Sequence, residues 1–95
     1  MFKSTINTGF HMTFENGIKI SVQWGPGNYC DNYGEFFNPL DRDVKSRTAE
    51  IAIFKGNKFH QITEHDTVLG RQTPNEVAEW IRKASHPDFK FEVER

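Results

Sequence analysis

The sequence predicts a single α+β domain in which about four antiparallel strands form two β-hairpins, with one C-terminal amphipathic helix packed on the sheet. Three observations predict this class. Apolar and polar residues alternate around two turn signals, a segment near the C-terminus has helical periodicity, and a long aromatic loop separates the two hairpins. A chain of 95 residues can bury one hydrophobic core, which we expect within residues 9–85.

The first hairpin is predicted to turn at Asn16-Gly17, because period-two alternation reaches this pair and resumes after it. A two-residue loop would place the apolar residues of the two strands on opposite faces. A three-residue loop from Glu15 to Gly17 places them on one face, so we expect a bulged turn with Gly17 in the left-handed region. This register gives three apolar pairs: Phe14 with Ile18, Met12 with Ile20, and Phe10 with Val22.

A second hairpin is predicted over residues 48–54 and 58–62, with its turn at Gly56-Asn57. Both of its faces carry apolar groups, so we expect it at the centre of the sheet with His60 beside the core. Residues 63–71 are expected to form a polar turn with a short apolar anchor at Val68 and Leu69. The predicted register gives three further pairs: Phe54 with Phe59, Ile53 with His60, and Ile51 with Ile62.

The helix is predicted over residues 74–85 because its start signal is complete. Thr73 is the N-cap, Pro74 takes the first helical position, and Glu76 completes a capping box. His86-Pro87 ends the helix, and we expect the tail over residues 86–95 to form an edge strand. The apolar stripe that should dock on the sheet consists of Val77, Trp80, Ile81 and Ala84.

Charge and composition exclude several classes of function. The 12 basic and 13 acidic residues are mixed along the chain, so no basic stripe is available to neutralise the phosphates of duplex nucleic acid. No apolar run approaches the roughly 18 residues of a membrane span, so we expect no membrane partner. The lone Cys30 cannot form an internal disulfide, which fits a reducing compartment. We expect a soluble cytosolic protein without a cofactor.

The aperiodic segment over residues 25–47 is where we expect the binding site. Trp24-Gly-Pro-Gly cannot continue a strand ladder, because proline has no N–H and the glycines permit positive φ. Aromatic rings and carboxamides are concentrated here and would hold a planar polar ligand by stacking and hydrogen bonding. The alternative is that the rings pack this segment down as a compact cap. The predicted ligand-binding residues are Trp24, Asn28, Tyr29, Asn32, Tyr33 and Arg47.

Two catalytic hypotheses use other residues. Cys30 could act as a nucleophile with His60 or His65 as its base. A phosphate-binding loop is excluded, because the glycine-rich segment has no following lysine and no helix after it. The second hypothesis is a metal site, although the spacing matches no helical zinc motif. Its ligands would be His60, Glu64, His65 and Asp66, joined by Cys30, Asp31 or His86.

Three strings of this chain are distinctive in combination: Ser21-Val-Gln-Trp-Gly-Pro-Gly-Asn-Tyr-Cys-Asp-Asn32, Thr48-Ala-Glu-Ile-Ala52 and Val68-Leu-Gly-Arg-Gln-Thr-Pro-Asn-Glu-Val-Ala-Glu-Trp-Ile81. Together they resemble a group of small proteins of uncharacterised function encoded by tailed bacteriophages. The resemblance implies a phage accessory protein made in the host cytoplasm. Small proteins of that kind are often inhibitors of host defence, which bind a host protein or sequester a nucleotide signal. The resemblance supplies no catalytic residue.

We therefore expect a non-enzymatic binding protein whose partner is a small nucleotide-like molecule or a host protein. One alternative is a small hydrolase that depends on Cys30 or on the metal ligands named above. The other is a virion or assembly component, which would bury its exposed aromatic residues in a homo-oligomer.

Overall fold

A computed structural model, which describes residues 1–5, 8–25 and 45–95, has an antiparallel sheet covered on one face by a helix. The described residues form six strands, two more than expected. The first five strands lie side by side in chain order, and the sixth pairs with the fourth. The α+β class is therefore confirmed. In chain order the elements are β1 (Phe2–Ser4), β2 (Gly9–Thr13), β3 (Ile18–Gln23), β4 (Ala49–Lys55), β5 (Lys58–Phe59), β6 (Val68–Gln72) and α1 (Pro74–Ser85).

The register of the first hairpin, formed by β2 and β3, is confirmed. Met12 lies opposite Ile20, and Phe10 lies opposite Val22. The Phe14 N–H donates to the Ile18 carbonyl oxygen at 2.9 Å, and Gly17 has a φ of +83°. The turn is thus closed by a residue in the left-handed region, which glycine adopts without steric cost.

The core lies between the sheet and α1. The fully buried side chains are Ile20 of β3 with Ile51 and Ile53 of β4, and the helix adds Val77 and Ala84. These residues share one face because β3 and β4 pair with Ile20 opposite Ile53. The apolar stripe of α1 therefore docks on the sheet as its periodicity predicts.

The second hairpin is confirmed only next to its turn. Phe54 pairs with Phe59 in β4 and β5, and the backbone N–H of His60 donates to the Ile53 carbonyl oxygen at 2.7 Å. The predicted pair of Ile51 with Ile62 is wrong, because Ile51 instead lies opposite Leu69 of β6. Residues 68–72 form a strand, whereas residues 63–71 were expected to form a polar turn, and Leu69 packs against the core.

The N-terminal strand β1 was not predicted. It pairs with β2, where Phe2 lies opposite Met12 and Lys3 lies opposite His11. Three residues are too few for a period-two pattern to be distinguished from chance. The sheet therefore begins before the first predicted hairpin.

Both ends of α1 are as predicted. The Thr73 hydroxyl oxygen accepts a hydrogen bond from the Glu76 N–H at 3.2 Å, and the Glu76 carboxylate accepts one from the Thr73 N–H at 3.0 Å. This is a complete capping box, and His86 caps the other end. Within the described ranges, no helix is long and apolar enough to span a bilayer.

The C-terminal tail reaches the sheet through one isolated bridge, between His60 and Val93, rather than through a regular strand. Around this bridge the Gln61 N–H donates to the Glu92 carbonyl oxygen at 2.7 Å, and the Glu94 N–H donates to the Phe59 carbonyl oxygen at 3.0 Å. The rings that alternate along the tail, Phe89 and Phe91, pack against the core.

Candidate functional site

A cavity of about 560 Å³ lies between α1 and one end of the sheet. It is located where β3 ends, β4 begins and β6 leads into the helix. Small-molecule sites have volumes of about 300 to 1,000 Å³, so this cavity is large enough to enclose a ligand of nucleotide size.

The inner wall of the cavity is apolar. Val22 and Ala49 line it from β3 and β4, and Val77 and Ile81 line it from the helix. Val22 and Ala49 face the helix because they alternate in step with the core residues of their own strands. Two small residues, Ala49 and the helix residue Ala78, also line it.

Trp24 stands at the end of β3 and contributes an indole ring to the lining. Its backbone N–H donates to the Thr8 carbonyl oxygen at 2.7 Å. Its ring packs edge-on against Phe10, with the centroids 6.4 Å apart and the planes at 67°. These contacts hold the half-buried ring in one place, so it offers a preformed flat surface for stacking.

Gln72 lines the cavity at the junction of β6 and α1. Its side-chain oxygen accepts a hydrogen bond from the Trp80 indole N–H at 3.1 Å, and its side-chain nitrogen donates to the Gly70 carbonyl oxygen at 3.2 Å. Both ends of the carboxamide are thus engaged within the protein. Gln72 therefore fixes the wall and joins the helix to the sheet.

The remaining side of the cavity is polar and carries positive charge. Residues 45–48, which lead into β4, all contribute to the lining. Lys45 and Arg47 are exposed there, and the Thr48 N–H donates to the Ser46 hydroxyl at 3.3 Å. A lysine and an arginine beside an apolar wall favour a ligand that has both an apolar body and an anionic group.

The structure brings together two of the six predicted ligand-binding residues, Trp24 and Arg47, at one cavity. The other four lie outside the described residues, as does Cys30; they are Asn28, Tyr29, Asn32 and Tyr33.

The helix side of the cavity was not predicted as part of a site. Val77 and Ile81 were expected to serve only the core, and Pro74 was expected only to start the helix. No local pattern of the sequence identifies this wall, because it depends on how α1 lies against the start of β4.

The proposed metal ligands differ in their surroundings, although the Glu64 Oε2 and His65 Nε2 atoms are 4.0 Å apart. His60 is 7% exposed, whereas the side chains of His65 and Glu64 are 85% and 78% exposed. The Asp66 carboxylate accepts a hydrogen bond from the Thr63 hydroxyl at 2.8 Å. Among residues 1–5, 8–25 and 45–95, no group of three or more histidine, cysteine, aspartate or glutamate side chains is placed to hold a metal ion.

His60 is a packed residue that holds the tail. Its Nδ1 accepts a hydrogen bond from the Glu92 N–H at 2.9 Å, and its ring lies 4.9 Å from that of Phe89 and 5.5 Å from that of Phe91. Burial lowers the pKa of His60 below its ordinary value, although the nearby Glu92 acts in the opposite direction. A neutral ring is required because Nδ1 must accept.

No protein family, curated protein or solved structure matches this chain significantly. The fold is that of an α+β domain with a cavity of about 560 Å³ between its helix and its sheet.

Proposed function

We propose that this protein acts by binding a small molecule in the cavity beside α1, and that the ligand is planar and carries an anionic group. The observation that carries the proposal is the volume of about 560 Å³ enclosed by an apolar wall, an anchored indole and a positively charged side. Nucleotide-like molecules have this combination of a flat ring and a negative charge.

The apolar wall and the charged side of the cavity would contribute differently to binding. Burying apolar surface is worth roughly 25 cal/mol per Å², so a ring placed between Val77 and Trp24 would supply most of the affinity. The positive charge of Arg47 and Lys45 would select ligands with a phosphate or carboxylate, and a guanidinium can contact either group with two parallel hydrogen bonds.

The biological setting that we propose rests on the resemblance to tailed-bacteriophage proteins. A phage accessory protein in the host cytoplasm that binds a nucleotide-like molecule would remove it from a host defence pathway. Sequestration needs affinity and abundance but no catalytic group. The proposal is therefore for a binding protein and not for a hydrolase.

Calorimetric titration with nucleoside monophosphates, and with the matching uncharged nucleosides, tests the proposal. We expect the nucleotides to bind the protein and the nucleosides to bind more weakly. Ala78→Trp should abolish binding, because Ala78 lines the cavity at an exposed helix position where an indole fills the space without entering the core. Asn75→Trp is the matched control, because Asn75 is exposed on the same helix but does not line the cavity.

A second pair of variants tests the charged side. Arg47→Gln should weaken nucleotide binding about tenfold, as expected for the loss of one charge-assisted contact. Lys58→Gln removes one positive charge from an exposed position that does not line the cavity and should leave affinity unchanged. Equal affinities for all four variants, with unchanged thermal stability, would show that the ligand does not occupy this cavity.

A further inference from the structure

Among the described strands, β1 lies at one edge of the sheet. In the part of the chain that the structure describes, β2 is the sole strand paired with β1. The Met1 amine donates a hydrogen bond to the Thr13 carbonyl oxygen at 2.8 Å, and the Thr13 N–H donates one to the Met1 carbonyl oxygen at 2.8 Å. The Thr5 N–H donates to the Gly9 carbonyl oxygen at 3.1 Å. Residues 1, 3 and 5 therefore direct their backbone groups toward β2.

The backbone groups of the alternate residues point the other way. In an antiparallel ladder every second residue bonds to one neighbour, so the N–H and carbonyl groups of Phe2 and Ser4 face away from β2. Both residues are exposed. The edge thus presents two donors and two acceptors in the arrangement that another strand requires.

The two faces of this edge differ in chemistry. On the helix side, Phe2 is 77% exposed and lies opposite Met12, beside a groove of about 340 Å³ that Phe14 also lines. On the other side Lys3 lies opposite His11, and Lys19 lies on the next strand. Burial and, to a smaller extent, the charges of Lys19 and Lys3 lower the pKa of His11, so two cationic side chains lie beside a neutral ring on this face.

We propose that the β1 edge binds an extended segment of a partner protein as an added strand, and that this segment alternates apolar and acidic residues. Its apolar side chains would lie beside Phe2 and the groove on the helix side. Its acidic side chains would face Lys3, His11 and Lys19 on the other side. Backbone hydrogen bonds would supply affinity, and the alternation would supply specificity.

A second copy of this chain fits the edge poorly. The antiparallel register that uses both Phe2 and Ser4 pairs each of them with the other residue of the second copy, which places Lys3 directly opposite its own counterpart. Like charges in directly opposed positions are destabilising. Lysine on an edge strand is a common device against such self-pairing.

The other margin of the sheet is less suited to strand addition. β6 is irregular, with a register shift opposite residues 49–51 and a φ of +53° at Arg71. A bulge of this kind twists an edge away from a flat partner. β5 has two residues, and hydrogen bonds from the tail already reach its end at Phe59. Among the described strands, β1 is therefore the edge that accepts a partner.

Short blocked peptides test this inference by NMR titration of the labelled protein. One peptide alternates valine and glutamate, and its matched control alternates valine and lysine. We expect the acidic peptide to shift the amide signals of β1 and β2 in a saturable manner and the basic peptide to leave them unchanged. Lys3→Glu should abolish this preference, because the new negative charge offsets that of Lys19 on the same face.

Ser4→Pro tests strand addition itself. It removes one outward N–H but leaves the Lys3 and Thr5 ladder to β2 intact, so the fold should persist while affinity for the acidic peptide falls about tenfold. Ser4→Ala keeps the N–H and should bind normally. Three results would overturn the proposal. Ser4→Pro could bind the acidic peptide as well as the wild type does, or the peptide could shift only signals at the cavity beside α1. The third is a dimer of the protein that Ser4→Pro dissociates.

Discussion

The side-chain amide of Asn16 donates a hydrogen bond to the backbone carbonyl oxygen of Ala84 at 2.8 Å, which joins the first hairpin turn to the last turn of α1. The same nitrogen lies 3.2 Å from the His86 carbonyl oxygen. The side-chain oxygen of Asn16 accepts a hydrogen bond from the Ile18 N–H at 2.9 Å. One side chain therefore shapes the turn and satisfies carbonyl groups that a helix end leaves without intrahelical partners.

We expect Asn16→Ala to lower the free energy of unfolding by about 1 to 2 kcal/mol, because it removes hydrogen bonds at two elements together. Asn16→Asp keeps the acceptor for Ile18 but loses the donor to Ala84, and it places a negative charge at the negative end of the helix dipole. It should therefore destabilise the fold at least as much as alanine does. Urea denaturation measures both, and a stable aspartate variant would show that the contact with the helix contributes little.

Gly17 supplies a second prediction. Its φ is +83°, and the position that a β-carbon would take has no neighbouring atom within 4 Å, so a substitution there meets backbone strain but no steric clash. Gly17→Val should be strongly destabilising, by more than about 1 kcal/mol, because β-branched residues avoid positive φ. Gly17→Asn should cost much less. Equal melting temperatures for the two variants would contradict the bulged turn.

The parts of the fold that were predicted correctly depend on local chemistry. The turn at Gly17 and the capping box of Thr73 and Glu76 each involve residues close together in the sequence, so their patterns determine their geometry. β6 was missed because Gly70 and Arg71 interrupt its short alternation. Its strand identity comes from pairing with β4, which is a distant contact that periodicity cannot reveal.

The candidate site was predictable only in part for a similar reason. Trp24 and Arg47 were predicted as site residues because they lie at the two ends of the aperiodic segment. The wall formed by Val77 and Ala78 depends instead on how α1 lies across the sheet. Packing between distant elements creates a cavity, and no local pattern encodes it.

The capping box gives a third prediction. Thr73→Ala should lower the free energy of unfolding by about 1 kcal/mol, because the Glu76 N–H at the start of α1 loses its side-chain acceptor. Glu76→Ala should have a smaller effect. Because each side chain bonds to the backbone of the other residue, a double-mutant cycle should show that the combined loss is smaller than the sum. Strict additivity would show that the two bonds act independently.

His60 predicts a dependence of stability on pH. Because burial lowers its pKa in the folded protein, His60 stays neutral at a pH where the unfolded chain, with an ordinary value of 6.5, takes up a proton. The free energy of unfolding should therefore decrease as the pH falls below 6.5 and level off below the folded pKa. Protonation of Nδ1 would also break the hydrogen bond from the Glu92 N–H and release the tail.

Denaturation curves measured between neutral pH and about pH 5 test this prediction. His60→Asn should reduce the slope of stability against pH, although His11, whose pKa is also lowered, leaves a remainder. His65→Asn is the matched control, because His65 is exposed and does not hold the tail. A slope that is the same in the wild type and both variants would remove His60 as the titrating group.

The chain has two tryptophans, and they lie in different parts of the fold. Trp24 lines the cavity, whereas Trp80 donates its indole N–H to Gln72 and has the Lys83 ammonium 4.7 Å from its ring centroid. Each is therefore a built-in fluorophore for a separate event. In Trp80→Phe the remaining emission comes from Trp24 and follows occupancy of the cavity. In Trp24→Phe it comes from Trp80 and follows detachment of the helix from the sheet. The two processes can therefore be timed independently without an added dye.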